Sequence, residues 1–237
     1  DLIGCVLYMS GLILSLYGFA FLLDGLKPAG LLTFGLLLLF AFVRVELKRT
    51  HPLLDVRLFS GNLTFAFSNL AAMINYSATF AVGFLASLHL QVVMGLDARI
   101  SGWVMLSQPL LMALFSPFAG RLSDKIEPRI VASVGMFLTT IGLFLFAFVT
   151  EQTGLVIVMA DLALIGLGFA FFSSPNNNAI MGAVSKEKYG VAASSLATMR
   201  MSGQAVSMSI VALAMAASGG SAAIGSNSAG MVLSSIR

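Results

Sequence analysis

Long apolar stretches separated by short charged clusters organise the chain. Residues 2–23, 28–43, 58–96, 100–120 and 130–150 hold no Asp, Glu, Lys or Arg; residues 152–185 hold Asp161 alone, and residues 201–236 hold none. A helix needs about 20 apolar residues to cross a bilayer, where every backbone polar group must be satisfied within the segment. The pattern therefore predicts seven spanning helices, near 2–23, 28–45, 63–88, 100–120, 130–150, 154–175 and 191–216. The Gly- and Ser-rich tail from Ser218 reads as a loop followed by the start of another apolar stretch at Met231–Ile236. The expected fold class is an all-α, polytopic membrane protein.

Composition narrows the class. Of the 237 residues 58% are hydrophobic and 10% charged, whereas an ordinary soluble domain is about 25% charged. A water-soluble fold of this size cannot hide so much apolar surface, which excludes a cytosolic enzyme and a nucleic-acid-binding module. The single Cys5 excludes an intramolecular disulfide and a cysteine-cluster zinc site, and no metal is expected.

Alternating seven spans puts nine of the thirteen Lys and Arg on one side: Arg44, Lys48, Arg49 and Arg57, then Arg121, Lys125 and Arg129, then Lys186 and Lys188. Lys27, Arg99 and Arg237 fall on the other side, and Arg200 lies within the last span. Basic loops stay in the cytoplasm. The expected location is the cell (inner, cytoplasmic) membrane, with the amino end cytoplasmic and the carboxyl tail outside. Residues 1–23 show no basic n-region and no small-residue cleavage site. The chain runs straight into a span, so the expectation is that it begins within a longer protein.

The helix faces differ. Gly4, Gly11, Gly18 and Gly25 form a smooth stripe for close approach of a neighbour. The second span is nearly featureless and is expected to face lipid. Neither of these two carries an ionisable residue at depth, so both are expected to lie outside any transport path. On the third span Ser68, Ala72, Asn75 and Thr79 share one face, with Tyr76 beside it. Such groups are costly against lipid, so this face is predicted to line a cavity or to hydrogen-bond another helix. Ser101, Met105, Gln108 and Met112 make a similar stripe on the fourth span, where Pro109 and Pro117 are predicted to kink the helix.

Asp161 is the one acid well inside a predicted span, and Ile165, Gly168, Phe172 and Pro175 continue its face. An ionised carboxylate is expensive at such a position, which suits it to binding and releasing a proton or to attracting a cationic substrate. A hydrated site near the surface and a structural ion pair are the competing explanations. Arg200 is the candidate buried charge, placed to pair with an acid, cap carbonyls or snorkel. His51 and His89, at the edges of spans, are expected at the surface. The 13 Met and 19 Phe suit an adaptable apolar cavity or plain packing.

Five motifs carry a resemblance. The loop Gly120-Arg121-Leu122-Ser123-Asp124-Lys125-Ile126-Glu127-Pro128-Arg129 resembles the loop signature of the major facilitator superfamily, G-x-L-[SA]-D-[RK]-x-x-x-[RK]. Gly166-Leu167-Gly168 with Pro175 is similar to a helix motif of the fourteen-helix drug:proton antiporters within that superfamily. Arg200-Met201-Ser202-Gly203 is similar to that family's R-x-x-G, and His51–Phe59 (HPLLDVRLF) to its cytoplasmic P-(L/I)-(L/V)-D-(L/V)-x-L-F loop. Leu90-Gln91 followed by Gly95 resembles its Y-L-Q-x-x-x-G, with His89 in place of the aromatic residue.

The resemblance implies a major-facilitator-type bundle in an incomplete transporter. Residues 1–45 would be the two extra central helices, 46–62 a cytoplasmic loop, 63–217 five helices of the carboxyl-terminal bundle, and 218–237 an external loop with the truncated start of the last helix. It implies proton-coupled multidrug efflux by alternating access, without enzymatic activity, with the proton gradient as energy source and no cofactor. Asp161 would be the proton-coupling acid in this half. Asn75, Tyr76, Gln108 and Phe172 would line the substrate cavity, and Gly120, Arg121, Asp124, Lys125 and Arg129 would form a cytoplasmic latch. The implied partners are a small amphipathic or cationic substrate, protons, the lipid bilayer and a missing amino-terminal bundle of the same protein, with no nucleic acid. Export of a peptide, siderophore, lipid or metabolite on the same fold is the alternative. A seven-helix receptor or photosensor is a distant one, since no span carries a Lys for a retinal Schiff base. A membrane enzyme would have to use Cys5, His51 or His89, with no base at helical spacing on the same span.

Overall fold

A computed structural model of the chain describes residues 2–49 and 56–217. Among these residues there are nine α-helices: α1 (Leu2–Ala20), α2 (Leu26–Glu46), α3 (Val56–Gly61), α4 (Leu63–Leu88), α5 (Ala98–Met105), α6 (Ser107–Ser123), α7 (Pro128–Phe146), α8 (Leu155–Gly182) and α9 (Tyr189–Ala217). Among the described residues six stretches are long and apolar enough to cross a membrane: α1, α2, α4 with its extension to Val93, α5 together with α6, α7, and α8. The seventh predicted span is α9. It is 29 residues long but richer in Ala, Ser and Gly, and it carries Arg200. The predicted tail at 218–237 and the start of the HPLLDVRLF loop, residues 51–55, lie outside the described residues.

The helix ends follow from local chemistry. Asn62 Oδ1 accepts the Phe65 N–H (3.0 Å), satisfying a free amide at the start of α4, while its Nδ2 donates to the Ala183 carbonyl (2.6 Å). Pro109 has no N–H and its ring crowds the carbonyl four residues back. The predicted kink is accordingly a break, with α5 ending at Met105 and α6 beginning at Ser107. Pro117 and Pro175 sit inside α6 and α8, and α8 runs on past Pro175 to Gly182.

The chain divides into two compact units, and the division falls within α4 and α8 rather than in a loop. The first comprises the described residues up to Ala78 together with 180–217. Here the predicted glycine stripe works against α2: a Cβ on Gly18 would strike the backbone of Pro28 and Leu32, and one on Gly11 would sit 3.0 Å from the Leu39 side chain. Gly35 answers from α2, where a Cβ would lie 2.5 Å from the Ser15 amide nitrogen. Gly25 is not part of this contact. It has φ of 124° and makes the turn into α2. Leu36, Leu37 and Phe40 of α2 are exposed, the lipid-facing side its sequence suggests. Tyr8 ties α1 to both neighbours, its ring 5.3 Å from that of Phe42 and its hydroxyl 2.7 Å from Ser202 Oγ on α9.

The second unit holds the rest of α4, α5, α6, α7 and most of α8. Its α7 and α8 run antiparallel along a seam without side-chain bulk. Gly135 lies against the backbone of Phe171 and Phe172, Gly168 against Thr139, and Gly142 against Ile165. Gly166, two residues from Gly168, turns instead to the Gln108 carbonyl on α6. The two motif glycines of α8 thus admit two different helices to close contact.

Candidate functional site

Asp161 stands where the α7–α8 seam opens. It is 5% exposed, and neither carboxylate oxygen has a hydrogen-bond partner among the described residues. It lines a cavity of about 480 Å³ together with Ile157, Ala160 and Leu164 of its own helix. Spacings of 3, 4 and 7 put these four on one helical face. Leu145, Phe148 and Val149 form the facing wall, and Thr150, Gln152 and Thr153 of the connecting loop form the rim. The rim is ordered: Thr150 N–H donates to Thr153 Oγ1 (2.8 Å), and the Thr153 amide returns to the Thr150 carbonyl (3.0 Å). Leaving a buried carboxylate unpaired is costly, and the cost is relieved by a proton or by a cation. Phe172 is 1% exposed, with its backbone against Gly135. Gln108 is half-buried, its carbonyl taken up by the contact with Gly166.

The first unit holds the other cavity candidates. Asn75 and Tyr76 are buried, as is Ala72 one turn before. Gly203 lets α9 approach α4, since a Cβ there would meet the Met73 carbonyl and lie 3.1 Å from Tyr76 Cβ. That approach sets the Arg200 guanidinium 4.9 Å from the centre of the Tyr76 ring, within cation–π range. Arg200 itself is exposed, not the buried charge the sequence suggested: stacking on an aromatic face leaves the guanidinium open on its other side. The spacing of R-x-x-G therefore has a mechanical meaning, one position docking on Tyr76 and the other making room. Gly203→Val is expected to destabilise the protein by about 1–3 kcal/mol through overpacking. Arg200→Lys, which keeps the charge but loses the planar stack, is expected to cost less. Thermal unfolding in detergent checks both.

The motif expected as a loop begins inside the last turn of α6, where Gly120 lies under Ser174 and a Cβ would sit 2.9 Å from its Oγ. Ser123 Oγ donates to the Gly120 carbonyl (2.7 Å) and accepts from Asn178 Nδ2 (2.9 Å). These bonds pin the end of α6 to α8. Arg121, Asp124, Lys125 and Arg129 are exposed. Asp124 occupies the C-cap of α6, and Arg129 pairs with Glu127 at 2.7 Å.

One residue behaves differently from its sequence reading, and another was not singled out there. His89 is fully buried, with neither ring nitrogen partnered among the described residues, although its place at the end of a span suggested a surface position. The cause is a π-helical turn, His89–Val93, that extends α4 and packs against α5. Gly95 closes it with φ of 64°, and the Leu96 N–H reaches back to the Leu90 carbonyl (3.0 Å), which explains the glycine of L-Q-x-x-x-G. Glu46, the last residue of α2, is 2% exposed and its carboxylate has no partner among the described residues. Its signal was available: it is the one acid flush with the end of the second apolar stretch.

Long apolar helices in close glycine contact define a multi-pass membrane protein. The Major Facilitator Superfamily profile matches residues 68–236, and the chain belongs to that family. It is similar to riboflavin transporter RibZ of Clostridioides difficile, 34% identical over 155 residues, covering 65% of this chain and 34% of RibZ. It is also similar to multidrug transporter protein MdtP of Bacillus subtilis, 28% identical over 211 residues, covering 88% of this chain and 38% of MdtP. A third relative is multidrug resistance protein Stp of Mycobacterium tuberculosis, 26% identical over 176 residues, covering 74% of this chain and 32% of Stp. The chain thus spans about a third of the length of the curated relatives it matches.

Proposed function

We propose that the intact protein is a proton-coupled secondary transporter of the cytoplasmic membrane, exporting small amphipathic or cationic compounds by alternating access. The observation that carries this reading is Asp161, a buried acid near the start of an apolar helix, with both oxygens unpartnered among the described residues and a cavity beside it. Asp161 takes and releases the proton, so the gradient supplies the energy and no cofactor enters. Asn75 and Tyr76 are the substrate-contacting candidates of the first unit and Gln108 that of the second, and the rest of the protein supplies a second bundle. Gly120, Asp124 and the basic residues around them latch the cytoplasmic side, where the basic loops lie. The relatives named for multidrug transport or resistance support drug-like cargo. The similarity to a riboflavin transporter favours a second reading, a metabolite as cargo.

The test is transport by the full-length protein in proteoliposomes, with an imposed pH gradient and a panel of cationic dyes plus riboflavin. Dye accumulation that appears with the gradient and collapses with a protonophore is expected. Accumulation indifferent to the protonophore would overturn proton coupling, and transport of riboflavin alone would select the second reading.

A further inference from the structure

We propose that Arg200, stacked on the Tyr76 ring, is a binding site for an organic carboxylate with an aromatic body. The inference goes beyond the transport reading: it concerns binding alone and uses neither Asp161 nor a proton gradient.

Depth is the first argument. Tyr76 is the fourteenth of the 26 residues of α4, about 20 Å along the helix from its first residue. A guanidinium held against that ring is at mid-helix and has not snorkelled to an end. Charge is the second. Arg200 is the one formally charged residue on α1, α4 and α9, and it makes no ion pair among the described residues. A cation at depth is costly without a counter-charge, and an anion relieves that cost. The face is the third. Ala193, Ala197, Arg200 and Gln204 follow helical spacing on α9; the first three are exposed and Gln204 is half-buried. This face is small and polar, unlike the exposed Leu36, Leu37 and Phe40 of α2, so it is poorly suited to lipid tails. Donor geometry is the fourth. Stacking on Tyr76 uses one face of the guanidinium and leaves its in-plane N–H fork, which matches the two oxygens of a carboxylate. The open face accepts an aromatic ring. Gln204 adds a neutral amide one turn on, and the exposed Met201 adds apolar surface beside the charge.

The experiment measures equilibrium binding of 2-naphthoate to the full-length protein in nanodiscs of phosphatidylcholine, with no pH gradient. Its uncharged counterpart, 2-naphthamide, has the same aromatic body and serves as the reference. The carboxylate is expected to bind about 10-fold tighter or more, the effect of charge-assisted hydrogen bonds. Arg200→Gln is expected to abolish that difference and to leave 2-naphthamide binding unchanged. Equal affinity of the two probes for the wild type overturns the proposal. So does an unchanged preference in Arg200→Gln, the result expected if an acid elsewhere in the full-length protein neutralises Arg200. Should that variant fail to fold, Gln204→Cys in a protein otherwise free of cysteine decides: 2-naphthoate is expected to slow maleimide labelling at position 204, and unaltered labelling overturns the site. Phosphatidylglycerol added to the nanodiscs tests a lipid phosphate as the occupant. Loss of 2-naphthoate binding that depends on Arg200 would assign the guanidinium to lipid and overturn the proposal, and retained binding supports a free carboxylate. Failure of proton coupling would appear only in the gradient-driven assay, so the two ideas fail separately.

Discussion

Asp161→Asn in the full-length protein is expected to reduce pH-gradient-driven export to the level of vesicles without protein. Asparagine keeps the shape and removes the exchangeable proton, so packing against Val149 and Ile157 at the cavity should persist. An ionised carboxylate is costly inside a spanning helix, and Asp161 is buried with both oxygens unpartnered among the described residues. That cost is the lever: it makes the charge state of Asp161 depend on what occupies the cavity and on which side the cavity opens. Asp161→Glu retains a titrating group on a longer stem, and export is expected to survive in part with a displaced pH profile. A requirement for shape alone would instead spare Asn and penalise Glu. Monodisperse elution of each variant separates lost coupling from lost folding. Wild-type export by Asp161→Asn would remove this residue from the mechanism.

The helices were largely legible because a bilayer reduces the problem to apolar length. All seven predicted spans are helices, and the fourth breaks where Pro109 removes a hydrogen bond. Asp161 and the R-x-x-G pair were legible because a charge in an apolar run is visible without a structure. Burial at span ends was not. Glu46 and His89 lie where a helix leaves its apolar stretch, and there a one-dimensional pattern cannot tell a solvated end from one covered by a neighbour. In His89 the added reason is the π turn, whose extra residue shifts the face that later positions present. Arg200 could be read as a buried, paired or snorkelling charge; its exposed guanidinium over the Tyr76 ring is a partner choice that spacing along one helix does not give. The partner glycines of the α7–α8 seam, Gly135 and Gly142, were spaced by seven and so carried the same signal as the stripe on α1. What the spacing could not give was the identity of the opposing helix.

That seam should be the most sensitive packing in the second unit. Gly168→Ala is expected to lower stability by at least the upper part of the ~1–3 kcal/mol range typical of overpacked cores. The new Cβ would lie 2.5 Å from Thr139 Oγ1, 2.6 Å from the Thr139 amide nitrogen and 2.9 Å from the Gly135 carbonyl, and two of these are backbone atoms that no rotamer change can move. Gly168→Leu is expected to yield no monodisperse protein. Gly83→Ala provides the contrast. It sits in the helical interior of α4 with nothing within 4 Å of the added carbon, so the better helix propensity of alanine should leave it neutral or stabilise it by up to about 1 kcal/mol. Thr139→Ala in the Gly168→Ala background removes the hydroxyl but leaves the amide nitrogen in place, so the rescue is expected to be small. A full rescue would show that the hydroxyl alone sets the helix spacing, and equal melting of Gly168→Ala and Gly83→Ala would show that α7 and α8 do not meet through their glycines.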